Sequence, residues 1–394
     1  VPAGKAKALV AHGGGPTAVL NASLVGIVEK CRRHAQIHTL YGALNGAEGI
    51  LDDRFVDLYA ESQERWDAIV HSPGSALGTS RKKLSDEDFG QMLETLRRHD
   101  IRYVFLTGGN GTMEMALKLS RVCSDAGFEA AVIGVPKTID NDLYGTDHTP
   151  GFASAARFFI HGMRFIGADN RALPGVTVVE VLGRNAGWLA ASTLLARQEP
   201  DDAPHLVYLP ERRLPFQQLA TDVECVYRKL GRVVVAVCEG QLDENGEPFG
   251  ADTRTTSKVP LALNLAHVLS MKLTGSLGVN ARSEKPGLLG RSFATLASPV
   301  DLAEARRCGA AAVQFALRGE TGRMVTLDRA SGDEYRTSVG LVPIEEVAGR
   351  ERLFPAAWMP HDATGDSPEF EAWLRPLVGP IHQLGKLARI PVSR

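Results

Sequence analysis

A chain of 394 residues is longer than one ordinary hydrophobic core organises and suits two α/β domains with a cleft between them. With 44% hydrophobic and 23% charged residues, the composition is globular and excludes a disordered or fibrous protein. Lys plus Arg number 44 against 46 Asp plus Glu, and a net charge of −2 excludes a general pull toward nucleic acid or an acidic membrane, so any anion must be gripped by local groups.

The five cysteines, Cys31, Cys123, Cys225, Cys238 and Cys308, are odd in number and far apart, with no CxxC pair. They read as reduced core thiols of a cytoplasmic protein. The sequence enters strand-like residues at Ala8 without the charged start and apolar run of a signal peptide, and no apolar run approaches the roughly 20 residues of a membrane span.

Along the chain, apolar bursts end in glycine and hand over to helical spacing, which is the pattern of a parallel sheet with crossover helices. Ala6 to Ala11 leads into Gly13-Gly14-Gly15-Pro16 and a helix with Leu20, Leu24 and Val28 on one face. Tyr103 to Leu106 leads into Thr107-Gly108-Gly109-Asn110-Gly111-Thr112 and a helix through Leu117, and Val132 to Val135 leads into Pro136-Lys137-Thr138-Ile139-Asp140-Asn141-Asp142. Further strands are expected at Val176 to Leu182, Leu206 to Leu209 and Val233 to Cys238, forming the sheet of a second lobe. A helix near Leu261 to Leu273, a loop at Pro286-Gly287 and a helix from Leu302 to Leu317 follow. No short-period repeat or low-complexity tether separates the lobes.

In open α/β sheets ligands gather where strands end and helices begin, because helix N-termini present unpaired N–H groups and a partial positive charge. Gly13 to Gly15 and Gly108 to Gly111 both occupy such places and allow close approach of an oxyanion, although neither fits GxxxxGK[ST] or GxGxxG. Lys137, Asp140 and Asp142 put two carboxylates behind a cation at a strand end, a set able to hold a metal, accept a hydroxyl proton and neutralise a phosphoryl group. A solvated Asx-turn would explain Asp140, Asn141 and Asp142 cheaply, but the adjoining Pro136 and the buried-looking Val132 to Val135 favour a site.

Taken in order, Gly13-Gly14-Gly15-Pro16 with Asn21, Gly108 to Thr112, Pro136 to Asp142 and Glu180-Val181-Leu182-Gly183-Arg184-Asn185-Ala186-Gly187-Trp188 resemble the signature of the phosphofructokinase family. The likeness runs to the Trp373-Leu374-Arg375-Pro376-Leu377 segment and is most similar to the bacterial pyrophosphate-dependent branch. It implies two Rossmann-like, three-layer α/β lobes with mainly parallel sheets and the active site in the cleft between them. The expected lobes are 1–145 for the phosphoryl donor and 146–310 for the sugar phosphate, with 311–394 packing across both. By the same resemblance Asp140 is the general base toward the sugar C1 hydroxyl, Asp142 its partner near the metal, and Thr138 a contact to sugar or phosphoryl group. Gly183 and Arg184 form the sugar-binding turn, Glu239 accepts sugar hydroxyls, and Arg291 meets the 6-phosphate, with Gly290 before it where the family often has glutamine. Gly14, Gly15, Arg81, Gly109, Asn110, Gly111 and Thr112 surround the donor. Asn110 and Asp142 hold Mg²⁺, although much of the family carries aspartate at the position of Asn110.

The implied reaction moves a phosphoryl group onto fructose 6-phosphate, and two positions disagree about its source. Lys137 stands where the pyrophosphate-using branch has lysine and the ATP-using branch glycine, and a small, highly charged donor must be held through its charges. Gly111 stands where the pyrophosphate branch usually has an aspartate that obstructs a nucleotide. The loop Gly42-Ala43-Leu44-Asn45-Gly46 offers no aromatic face for adenine and favours pyrophosphate. The alternatives are an ATP-dependent enzyme, a same-fold kinase of another sugar phosphate such as sedoheptulose 7-phosphate, and a non-catalytic binding subunit. The family associates as homodimers or homotetramers.

Overall fold

The computed structural model describes residues 5–249, 263–332 and 334–387. The first apolar bursts form β1 (Ala6–His12), β2 (Ile37–Ala43), β3 (Phe55–Asp57), β4 (Ile101–Gly108) and β5 (Ala131–Pro136). The chain then builds β6 (Val176–Val181), β7 (Leu206–Tyr208), β8 (Val233–Cys238) and β9 (Ala281–Glu284), and ends its strands with β10 (Arg323–Arg329) and β11 (Thr337–Pro343). Two sheets result, in the orders β11-β10-β5-β4-β1-β2-β3 and β7-β8-β6-β9. The second is parallel throughout, and the first is parallel except for its edge strands β3 and β11.

Alternation along the strands explains the layers. In β1 and β4, Ala8, Val10, Tyr103 and Phe105 face the helices Leu20–Arg32 and Pro299–Leu317, whereas Leu9, Ala11, Val104 and Leu106 face the helices Asp86–His99 and Asn110–Asp125. The second sheet is covered likewise, by the helix Phe152–Ala172 and an aromatic cluster on one side and by the helices Phe216–Leu230 and Leu265–Leu277 on the other. Each lobe is therefore three-layered, as expected for strands buried on both faces.

In the first sheet, β1 lies between β4 and β2, so the chain leaves it in opposite directions and opens a crevice at the strand ends. His12 pairs with Thr107, which puts the two glycine turns that follow these strands side by side. In the second sheet Val181 pairs with Cys238, so Gly183 and Glu239 emerge together. The sequence pattern located β1, β4, β5, β6, β7 and β8 but not β2, β3, β9, β10 or β11. Those five lie at or toward the sheet margins; in β2, β3, β9 and β11 half-exposed residues blur the apolar burst, whereas β10 buries only the short run Met324 to Leu327 between Arg323 and Asp328.

The late part of the chain returns to the first sheet, since β10 pairs with β5 and the helix Pro299–Leu317 runs through position 310 to pack on the first core. The helix expected from Leu261 is described from Leu265 to Leu277, and Leu261 lies outside the described residues. Four cysteines are buried thiols as read, but Cys225 is exposed, because the buried face of its helix is Leu219, Ala220 and Val223. Among the described residues no helix is long and apolar enough to cross a membrane.

The helices Leu20–Arg32 and Pro299–Leu317 cross at glycines: a Cβ on Gly26 would lie 2.0 Å from the Arg306 carbonyl oxygen, and one on Gly309 2.0 Å from that of Ser23. Gly309→Ala is expected to cost about 1–3 kcal/mol through backbone displacement. Gly90→Ala, in a helix with nothing within 4 Å, is expected to be neutral or stabilising by up to about 1 kcal/mol, and thermal denaturation of the two variants checks the contrast.

Candidate active site

The strand ends of both sheets face one cleft of about 590 Å³, lined by Gly14, Gly15, Arg81, Gly109 to Thr112, Lys137, Thr138, Asp140, Asp142, Gly183, Arg184, Glu239 and Arg291, the site residues expected from the sequence. None of its lining residues is Phe, Tyr or Trp. That volume suits a small ligand.

The first glycine turn is shaped by two side chains from elsewhere. Gly14 has φ +73°, a backbone state that favours glycine. Lys137, buried at 2% exposure, donates from Nζ to the carbonyl oxygens of Gly13 at 2.9 Å and Gly15 at 2.5 Å. Between the two turns sits Thr112, whose Oγ1 would lie 2.2 Å from a Cβ at Gly13 and 2.0 Å from one at Gly108. Glycine at 13 and 108 is thus required by the threonine wedged between them, whereas the sequence argument had attributed it to oxyanion approach alone.

The second turn starts the helix Asn110–Asp125, capped by Gly109. Its first amides have no intrahelical acceptor and point their dipoles into the cleft. A Cβ at Gly111 would meet nothing within 4 Å, so the position is open toward a ligand. Arg81 and Arg291 converge on the first turn, with Arg291 Nη1 2.6 Å and Arg81 Nη2 3.6 Å from where a Cβ of Gly15 would be. Gly290 is backed by Phe159, 2.6 Å from its own hypothetical Cβ, which leaves no room for a glutamine.

The acidic loop is not a solvated turn. Asn141 is fully buried with φ +56°, and its Oδ1 accepts from Thr149 N at 3.0 Å, which turns the flanking Asp140 and Asp142 toward the cleft. Thr138 Oγ1 accepts from Asp140 N at 3.1 Å. Asn110 Nδ2 donates to Asp142 Oδ2 at 3.1 Å, leaving Asn110 Oδ1 and Asp142 Oδ1 buried without partners.

Burial, then the carboxylates of Asp142 and Glu239, push the Asp140 pKa up to about 8, against the pull of Arg184 and Lys137. Asp142 is also raised, by burial and then by Glu351, with Asn110 and Thr138 opposing. Lys137 is lowered to about 8, chiefly by burial, with Arg291 and Arg81 adding to it and Asp140 opposing. These shifted acid–base groups lie beside Arg81, Arg291 and the first amides of the helix Asn110–Asp125.

On the opposite wall, Gly183 (φ +134°) and Arg184 (φ +33°) form a turn whose amides both donate to Glu239 Oε1 at 3.4 Å. Glu239 is raised by its burial. Sequence reasoning missed His12 and Glu351, which also line the cleft. Glu351 carries no local motif, and its membership depends on the fold of a distant segment. His12 ends β1 directly before Gly13, a position that could have suggested it.

The model of the family described as phosphofructokinase matches residues 7–316. The pyrophosphate--fructose 6-phosphate 1-phosphotransferase of Rhodospirillum rubrum is 39% identical over 387 residues, covering 95% of this chain and 95% of that one. The ATP-dependent 6-phosphofructokinase of Amycolatopsis methanolica is 32% identical, over 78% of this chain and 68% of that one. The crystal structure of a pyrophosphate-dependent phosphofructokinase from Marinobacter aquaeolei has a TM-score of 0.87 at 31% identity, covering 98% of this chain and 95% of that one.

The raised Asp140 carboxyl makes stability depend on pH. The folded state holds the proton more tightly than the unfolded chain, whose value is 3.8, so this group's contribution falls as pH rises from there through about 8. Asp140→Asn is therefore expected to raise the thermal midpoint at pH 9 and to change it little at pH 4, as scanning calorimetry at the two pH values checks.

Proposed function

The chain belongs to the phosphofructokinase family, and we propose that it transfers a phosphoryl group from pyrophosphate to the C1 hydroxyl of fructose 6-phosphate, reversibly, giving fructose 1,6-bisphosphate and phosphate. The observation that carries the choice of donor is Lys137, a buried cation fixed on the carbonyls of the first glycine turn. A donor without an adenosine handle depends on such fixed charge. Among the described lining residues none is Phe, Tyr or Trp, which supports the same reading, since adenine would find no large aromatic face to stack on. The opening at Gly111 supports the second reading, ATP as donor, in keeping with the ATP-dependent relative.

In this mechanism Asp140 takes the proton of the C1 hydroxyl as that oxygen attacks the near phosphorus, and the bond from phosphorus to the bridging oxygen breaks in line. The leaving phosphate stays against the amides of Gly109 to Gly111 and the first glycine turn. Arg81 and Arg291 flank the transferring group; the 6-phosphate assignment of Arg291 is thereby widened, because its guanidinium lies over Gly15. Gly183, Arg184 and Glu239 bind the sugar, and Thr138 holds Asp140 by its amide.

The unpartnered Asn110 Oδ1 and Asp142 Oδ1 fit a Mg²⁺ ion, which usually takes few protein ligands and completes its shell with water and phosphate oxygens. When bound it neutralises charge on the donor phosphates.

Leu288 at the cleft and Phe165, Leu289 and Phe293 are exposed, which supports a homodimer or homotetramer covering them. Light scattering of the purified protein checks this: a monomer would contradict it.

With fructose 6-phosphate and Mg²⁺, initial rates are expected to be at least about tenfold higher with pyrophosphate than with ATP at equal concentration; turnover with ATP alone would assign the donor to the nucleotide. Asp140→Asn is expected to lose about 10²–10⁴ in kcat while still binding fructose 6-phosphate by calorimetry. The profile of kcat/KM against pH is expected to be a bell peaking near 8, with Asp140 needed ionised and Lys137 protonated. Residual activity of Lys137→Met is expected to lack the alkaline limb.

A further inference from the structure

The sugar-binding turn is held by carboxylates on three sides, and one of them comes from beyond residue 316, where the family model's match ends. Glu239 takes the amides of Gly183 and Arg184, and Glu211 Oε1 accepts from Gly187 N at 2.8 Å. Glu351 accepts from Asn185 Nδ2 through both oxygens, at 3.1 and 3.3 Å.

Glu351 belongs to a short strap, residues 351–354, that is tied to both walls of the cleft. Toward the acidic loop, Glu351 bridges to Leu143 and Arg352 N donates to the Asp142 carbonyl at 2.8 Å. The Arg352 guanidinium donates to the carbonyls of Thr146 and Asp147 and lies 4.3 Å from the centre of the Trp188 ring. Toward the sugar turn, Trp188 Nε1 donates to the Arg352 carbonyl at 3.1 Å, and Phe354 N donates at 2.8 Å to the same Glu211 oxygen that holds Gly187.

We propose that this strap positions the sugar-phosphate turn relative to the catalytic carboxylates, with Glu351 and Glu211 as positioning residues. The turn needs such support because Arg184 sits at φ +33°, a strained state for a residue with a side chain, which persists only where surrounding contacts impose it. Released from Asn185, the turn relaxes and Arg184 leaves the position from which it meets the sugar phosphate. The two glycine turns are fixed separately by Lys137 and Thr112, and the strap meets the acidic loop through backbone contacts at Asp142 and Leu143 that a change of the Glu351 side chain leaves in place. The consequence is a specific one: losing the Glu351 contact to Asn185 affects the acceptor sugar more than the donor.

The inference rests on the sugar-phosphate reading of the cleft, and the experiment separates the two. Glu351 is exposed at the rim, so its variants are expected to fold. Glu351→Ala is expected to raise KM for fructose 6-phosphate about fivefold, while KM for pyrophosphate moves less than about twofold. Glu351→Gln, whose amide oxygen still accepts from Asn185, is expected to stay within about twofold of the wild type. The Glu351→Ala/Asn185→Ala double variant is expected to be no worse than the poorer single one. Hydrogen exchange is expected to quicken in the 183–188 segment of Glu351→Ala and not in 13–15. Equal rises in both KM values, a Gln variant as poor as Ala, multiplicative single effects or unchanged exchange would each overturn the proposal. A wild type that neither binds nor phosphorylates fructose 6-phosphate overturns the functional reading instead, and hydrogen exchange then decides the positioning role by itself.

Discussion

The ammonium of Lys137, buried against two backbone carbonyls and facing Asp140, is the interaction on which the cleft depends. An isolated buried cation is costly, and this one is tolerated because its hydrogen bonds and the nearby carboxylates offset desolvation. The same contacts fix the shape of the first glycine turn. Charge placement and backbone conformation at the donor end are consequently one problem with one solution. The depressed pKa of the lysine and the raised pKa of Asp140 are its two electrostatic consequences, since burial acts on both and their attraction only partly compensates.

Packing imposes a second constraint. Thr112 between Gly13 and Gly108 locks the two turns in register, so that the ends of β1 and β4 act as a single cradle. The crossing of the helices Leu20–Arg32 and Pro299–Leu317 at Gly26 and Gly309 then brings the late part of the chain onto the first core. That return feeds β10 into the sheet beside β5 and delivers the segment carrying Glu351 and Arg352 to the cleft. The aromatic cluster around Trp188, Phe354, Phe370 and Trp373 anchors this segment in the second core. The geometry of the cleft is thus stabilised by residues that arrive after both sheets have been laid down.

The two walls of the cleft use different means. The wall of the two glycine turns is fixed by sterics at Gly13 and Gly108, where Thr112 leaves no room for a side chain. The acceptor wall is held by polar contacts to Glu211, Glu239 and Glu351 around a turn with two positive φ values. A wall built from hydrogen bonds at the solvent edge can open at lower free energy than one built from close backbone packing. The two walls therefore respond to different perturbations.

By itself the sequence determined the α/β class, the strands buried on both faces and the motifs that end them, because period, apolar content and glycine placement are local properties. It also identified the cluster of Lys137, Asp140, Asp142, Arg184, Glu239 and Arg291, all of which the fold brings to one cleft. Only the tertiary structure decided why Gly13 and Gly108 must be glycine, what Lys137 holds, and that Asn141 is a buried pivot in place of a solvated turn. It alone placed Glu211, Glu351 and Arg352, residues with no motif around them. The physical reason is that close contact and desolvation are properties of pairs far apart in the chain, such as Thr112 with Gly13 or Glu351 with Asn185, and no window of sequence contains both partners.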